Sequence, residues 1–121
     1  MAIRVTVVDD SAMSRKAVRK ALPPEWDVDV HEATDGKEAL AAYEAGYAEV
    51  MFLDLTMPEL DGFGVLEYLR SVQAKSIVIV ISADIQPLAQ ERVMQLGAFR
   101  FLKKPLVVEE LRQTLQEVGL L

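Results

Sequence analysis

With 121 residues, 51% of them hydrophobic, the chain suits one domain whose core removes roughly two-thirds of the unfolded chain's surface from water. Its formal net charge of -6, from 13 Lys+Arg against 19 Asp+Glu, disfavours nonspecific binding to nucleic acid or to an anionic membrane. The absence of cysteine excludes disulfides, thiolate catalysis and thiolate metal sites.

The first apolar run, Ile3 to Val8, is β-branched and ends in Asp9-Asp10-Ser11. Arg4 and the acidic pair interrupt it, so it has no signal-peptide layout, and the longest run, Ile77 to Ile81, is too short to span a bilayer. A cytoplasmic location is expected. Ser14 to Leu22 carries apolar residues at helical spacing until Pro23-Pro24 stops it. Trp26, just beyond, is assigned only packing. Val28 to Ala33 mixes apolar and polar residues as an edge strand does, and Asp35-Gly36 leads into an Ala-rich helix over Lys37 to Tyr47, closed near Gly46.

Val50 to Leu53 is continuously apolar, the pattern of a strand covered on both faces, yet the next residue is Asp54. Pro58 and Asp61-Gly62 then give a turn of fixed φ with a residue tolerant of φ > 0. Phe63 to Ser71 can bury Phe63, Val65, Leu66 and Leu69 together as a helix. Ile77 to Ile81 is expected to be the most buried strand, ending at Ser82-Ala83-Asp84. Pro87 starts a helix reaching Leu96 with Gly97 as its C-cap, Phe99 to Leu102 is a short fifth strand, and Val107 to Val118 is the last helix.

Five strands alternating with five helices through short connections predict an α/β three-layer sandwich, a flavodoxin-like (βα)5 fold with a parallel sheet of order 2-1-3-4-5. In such sheets ligands bind outside the carboxyl ends of the strands, so Asp9-Asp10 and Asp54 converge on a functional address. Two carboxylates about 4 Å apart repel by roughly 4 kcal/mol at an effective dielectric near 20, and a shared hard cation resolves this. Mg2+ takes oxygen ligands, keeps waters and is held by one or two carboxylates plus a phosphate oxygen. With that charge masked, Asp54 can act as a nucleophile and form an aspartyl phosphate. Ser82 supplies a hydroxyl and Lys104 an ammonium from the next two strand ends.

Asp9-Asp10, Asp54 with Met57-Pro58 and Asp61-Gly62, Ser82-Ala83 and Lys104-Pro105 together resemble the receiver domain of two-component response regulators, and the whole chain resembles its CheY-like single-domain members. The resemblance implies that Asp54 is the phosphoacceptor and that Asp10, Asp54 and the backbone carbonyl of Thr56 coordinate Mg2+, with Asp9 acting mainly through water. It implies that Lys104 binds the phosphoryl group and that the Lys104–Pro105 peptide is cis. It also implies a switch: phosphorylation draws the Ser82 hydroxyl inward, Phe101 fills the vacated space, and the face of helix four, strand five and helix five is remodelled. Phe101 has no phenolic hydroxyl, and the residue after Asp54 is Leu55 rather than a reporter tryptophan. Thr56 and Asp84 fall at positions that tune loss of the phosphoryl group.

The implied partners are a histidine kinase or histidine phosphotransfer protein, a downstream target protein and a phosphatase, in a chemotaxis, motility or other phosphorelay pathway. Arg15, Lys16, Arg19 and Lys20 read either as a solvated face of the first helix or as a docking surface for the phosphodonor. Residues 1–121 are expected to be one receiver domain without an output domain, because Gly119-Leu120-Leu121 alone follow Val118. Phe99 and Arg100 stand where dimerising receivers often carry acids, so a monomer or a weak dimer on activation is expected. The module is expected to be a switch, not an enzyme, although it catalyses its own phosphorylation and dephosphorylation. Two other readings compete. A small Mg2+-dependent phosphohydrolase also forms an aspartyl phosphate but needs a second acid where Thr56 stands. A flavin or nucleotide carrier on this fold needs a Gly-rich phosphate loop after strand one, and none is there.

Overall fold

The computed structural model describes residues 2–121, and its sheet has the order β2-β1-β3-β4-β5 with every pairing parallel. Its elements are β1 (Ile3–Val8), α1 (Ala12–Ala21), β2 (Val28–Ala33), α2 (Gly36–Glu44), β3 (Val50–Leu53), α3 (Gly62–Ser71), β4 (Ile77–Ser82), α4 (Pro87–Gln95), β5 (Arg100–Lys103) and α5 (Val108–Glu117). No helix among the described residues is long and apolar enough to cross a membrane.

Alternation along the strands sorts the core into two layers. Val8, Met51, Leu53, Val78 and Val80 face α2, α3 and α4, where Ala39, Val65, Leu66, Leu69 and Val93 meet them. Val5, Val7, Val50, Phe52, Ile79 and Ile81 face α1 and α5, packing on Val18, Ala21, Leu111 and Leu115. Trp26 belongs to this second layer, its ring edge-on to Phe52 at 6.4 Å.

Several boundaries differ from the sequence-based expectation. The first helix starts at Ala12, two residues early, because Ser11 caps it by accepting from the Ser14 N–H. Met13 is 84% exposed, so this first turn carries no buried-face periodicity to reveal it. Helix α2 stops at Glu44, three residues early, with Gly46 at φ 84° turning the chain. Ser82 is the last residue of β4 instead of lying past it, and β5 is shifted by one residue toward Lys104. The most thoroughly covered strand is β3, whose four residues are all buried, whereas Ile77 at the start of β4 is half-buried.

Candidate functional site

Register alone brings the acidic strand ends together. Val8 pairs with Leu53, so the next residue on each strand, Asp9 and Asp54, leaves the sheet side by side. The Asp54 N–H donates to Val8 O at 3.0 Å, and the Asp9 N–H to Ala33 O at 3.1 Å, as the final rungs of their ladders. Carboxylate oxygens of Asp9, Asp10 and Asp54 all lie within 4.8 Å of one another. Asp9 and Asp54 are buried, at 3% and 6% exposure, while Asp10 faces solvent. Ser82, at 1% exposure, is the third buried polar side chain at this end of the sheet.

Among the described residues, Lys104 is the cation that enters the cluster. The Lys104 N–H donates to Ser82 O at 3.0 Å, extending the β4–β5 ladder, and its ammonium donates to Asp9 Oδ2 at 2.7 Å while standing 3.5 Å from Asp54 Oδ1. The following Lys104–Pro105 peptide is cis. Three acids against one lysine leave an excess of negative charge. Burial, and then the neighbouring Asp9 charge, push the Asp54 carboxyl above the ordinary range, with Lys104 pulling the other way. Burial opposes the Lys104 charge, but bonds and charge from Asp9 and Asp54 outweigh it and hold the ammonium above its ordinary value.

The loop after β3 is fixed by packing instead of by glycine flexibility. Gly62 is not at positive φ; that conformation falls on Glu59, at φ 65°. Gly62 is needed for space, because a Cβ there would sit 2.5 Å from Asp54 O. Its N–H donates to Leu55 O at 3.0 Å, and Asp61 caps α3 by accepting from the Gly64 N–H at 2.9 Å.

The sequence model of the response regulator receiver domain family matches residues 5–116. This chain belongs to that family. Among relatives, the chemotaxis protein CheY of Bacillus subtilis is 32% identical over 119 residues, covering 95% of this chain and 99% of that protein. A protein-glutamate methylesterase/protein-glutamine glutaminase of Geobacter sulfurreducens is 40% identical over 105 residues, 85% of this chain but 28% of that protein. The chain spans 28 to 30% of the length of the first methylesterases it matches. The solved receiver of NarL from Mycobacterium tuberculosis superposes with a TM-score of 0.86 at 34% identity, covering 97% of this chain and 95% of that one. CheY4 of Vibrio cholerae gives 0.84 at 29% identity, covering 98% and 99%.

In this receiver, Thr56 lies exposed on the loop beyond Asp54. Phe101 is half-buried against the α2–α4 layer, and the Ser82 hydroxyl accepts from the Asp84 N–H at 3.1 Å. Asp84 in turn accepts from the Gln86 N–H at 3.1 Å, so its carboxylate is engaged in its own loop. Half of the basic face on α1 is otherwise occupied: Arg15 and Arg19 reach Glu32 of β2 at 2.7 and 3.4 Å. Lys16 and Lys20 stay exposed. Sequence reasoning missed Ser14, whose hydroxyl lies 3.5 Å from the Lys104 ammonium, and the contact of Arg15 with the Asp9 carbonyl. The helical spacing of Ser11, Ser14 and Arg15, one turn past the acidic pair, was the available signal.

Proposed function

We propose that this receiver accepts a phosphoryl group on Asp54 from a phosphohistidine of a histidine kinase or histidine phosphotransfer protein. The observation that carries the reading is the Asp9, Asp10 and Asp54 cluster, with oxygens within 4.8 Å of one another and the Lys104 ammonium 3.5 Å from Asp54. Opposite oxygens around a Mg2+ ion are about 4.2 Å apart, so these acids fit that ion with small side-chain adjustment, and they offer only hard oxygen donors. Asp10, Asp54 and the Thr56 carbonyl would hold it, with Asp9 reaching it through water. When bound, the ion supplies charge neutralisation for the incoming phosphoryl oxygens.

An Asp54 carboxylate oxygen attacks phosphorus, the P–N bond to the donor imidazole breaks, and a P–O bond to Asp54 forms. The Lys104 ammonium moves from Asp9 toward the new phosphoryl oxygens. Ser82 exchanges its bond to the Asp84 N–H for one to the phosphoryl group, and Phe101 follows into the space released. Dephosphorylation is attack by water on phosphorus with Asp54 leaving; Thr56 and Asp84 tune its rate, and a partner phosphatase sets part of it.

Output is binding of a downstream protein to the face of α4, β5 and α5, where Leu88 and Met94 of α4 and Val108 of α5 are exposed. The domain works as a cytoplasmic switch, a monomer that dimerises weakly at most on activation, and chemotaxis or motility is the pathway to test first given its CheY relatives. The test is intact mass after exposure to acetyl phosphate with and without Mg2+, on wild type and Asp54→Asn. A single Mg2+-dependent phosphoryl adduct lost in the variant is expected. A folded wild type that takes no adduct overturns the reading.

A further inference from the structure

The turn from β1 into α1 carries the acidic pair, and one of its backbone groups needs a partner from elsewhere. Asp9 makes the last rung to β2 through its N–H, after which β1 leaves the sheet and the Asp9 carbonyl has no strand donor. Arg15 supplies the bond. Its Nη1 donates to Asp9 O at 2.8 Å, and its Nε donates to Glu32 Oε1 at 2.7 Å on β2. The Arg15 side chain is 14% exposed, against 45% for Arg19 on the same face, so the fork is seated in the protein and is not a solvated charge.

We propose that Arg15 is a positioning residue of the site: braced by Glu32, it fixes the turn that presents Asp9 and Asp10 and thereby sets the affinity for the divalent cation. The inference rests on the reading of the acidic cluster given above. The Asp9 carboxylate is held by the Ser11 N–H at 2.9 Å and by Lys104 at 2.7 Å, so its orientation depends on the turn's backbone as well as on the lysine. Partners that orient metal-binding side chains typically change metal affinity about 10- to 100-fold when removed. Only a guanidinium reaches both acceptors from this position with a rigid planar fork; a lysine keeps the charge and loses the second bond.

The sign of the effect separates positioning from simple charge. A cation beside an acidic site repels a second cation, so if Arg15 acted only through its charge, its removal would tighten metal binding. If it positions the turn, removal weakens binding.

The experiment measures Mn2+ binding from the free-ion paramagnetic resonance signal, with Mg2+ competition, on wild type, Arg15→Met, Arg15→Lys and Asp10→Asn. The phosphorylation rate from acetyl phosphate is measured against Mg2+ concentration in parallel. Arg15→Met and Arg15→Lys are both expected to weaken Mn2+ about tenfold. The Mg2+ concentration for half-maximal phosphorylation should rise by the same factor, with the maximal rate at the wild-type value. Wild-type or tighter affinity in the Arg15 variants, with Asp10→Asn impaired, overturns the proposal alone. Wild type that binds no Mn2+, or Asp10→Asn that binds it as wild type does, overturns the reading of the site and this proposal with it. Should Arg15→Met not fold, Arg15→Lys decides, because it retains the charge and the aliphatic stem.

Discussion

Lys104 donates to Asp9 Oδ2 at 2.7 Å, which makes its ammonium the partner of Asp9 before it is the partner of anything bound at Asp54. A buried acid that loses such a partner incurs the desolvation penalty uncompensated. Lys104→Met should therefore cost about 2 kcal/mol in metal-free protein. If the acidic cluster holds Mg2+ as proposed, saturating Mg2+ should shrink that cost, because the ion would take over the role of counter-charge. Thermal denaturation with chelator and with Mg2+ checks both halves, and an equal loss under the two conditions would refute the assignment.

The raised carboxyl of Asp54 gives a signed pH dependence. Its folded pKa lies above the unfolded value of about 3.9, so between the two the native state holds more protons than the unfolded one. Stability contributed by this group is present below the unfolded pKa and is lost as pH rises through the folded pKa. Asp54→Asn lacks this slope, so in metal-free protein its advantage over wild type should grow across that window and then stay constant. Each kcal/mol of advantage should read as about 4 °C in Tm for a domain of this size. Parallel curves for the two proteins from pH 4 to pH 8 would sink the prediction.

Glu59, on the loop after β3, and Gly62, the first residue of α3, should respond in opposite directions to exchange. Glu59 holds φ 65° and its side chain makes an exposed pair with Lys37, so Glu59→Gly should stabilise by about 0.5 kcal/mol after loss of that pair. Gly62→Ala places a methyl 2.5 Å from the Asp54 carbonyl and should cost about 2–3 kcal/mol. Urea denaturation of the two variants tests the contrast, and Glu59→Gly should leave phosphorylation intact.

Trp26 is buried with no partner for its indole N–H among the described residues, so replacing the ring and removing it should differ sharply. Trp26→Phe loses some packing on Phe52 but removes the orphaned donor, and should fall within about 1 kcal/mol of wild type. Trp26→Ala should cost about 3–5 kcal/mol. A large loss in the phenylalanine variant would mean that the indole N–H has a partner after all.

The sheet order and the convergence of Asp9, Asp10, Asp54 and Lys104 were legible because strand ends are local signals: an apolar run stops at an acid or a lysine, and the topology brings the ends together. Less legible were features set by backbone approach. Nothing in Asp61-Gly62 distinguishes a glycine needed for φ from one needed for room, and it is the neighbouring Glu59 that takes the positive φ. By sequence Arg15 belongs with Lys16, Arg19 and Lys20 to one basic face, since composition cannot show that this cation turns inward to Glu32 and the Asp9 carbonyl. The start of α1 was missed for the same reason, its first turn being defined by a serine cap and not by apolar spacing.

Asp9 has no idle polar atom: its N–H binds Ala33, its carbonyl Arg15, and its two carboxylate oxygens the Ser11 N–H and Lys104. Asp10, next in the chain, is exposed and makes none of these bonds to β2, α1 or Lys104. In a mutational scan the two aspartates would therefore report different things. Every substitution at Asp9 should lower abundance and signalling together, so its score mixes folding with chemistry. Asp10 should separate them: Asp10→Asn is expected to silence the site while the protein stays folded in the cell.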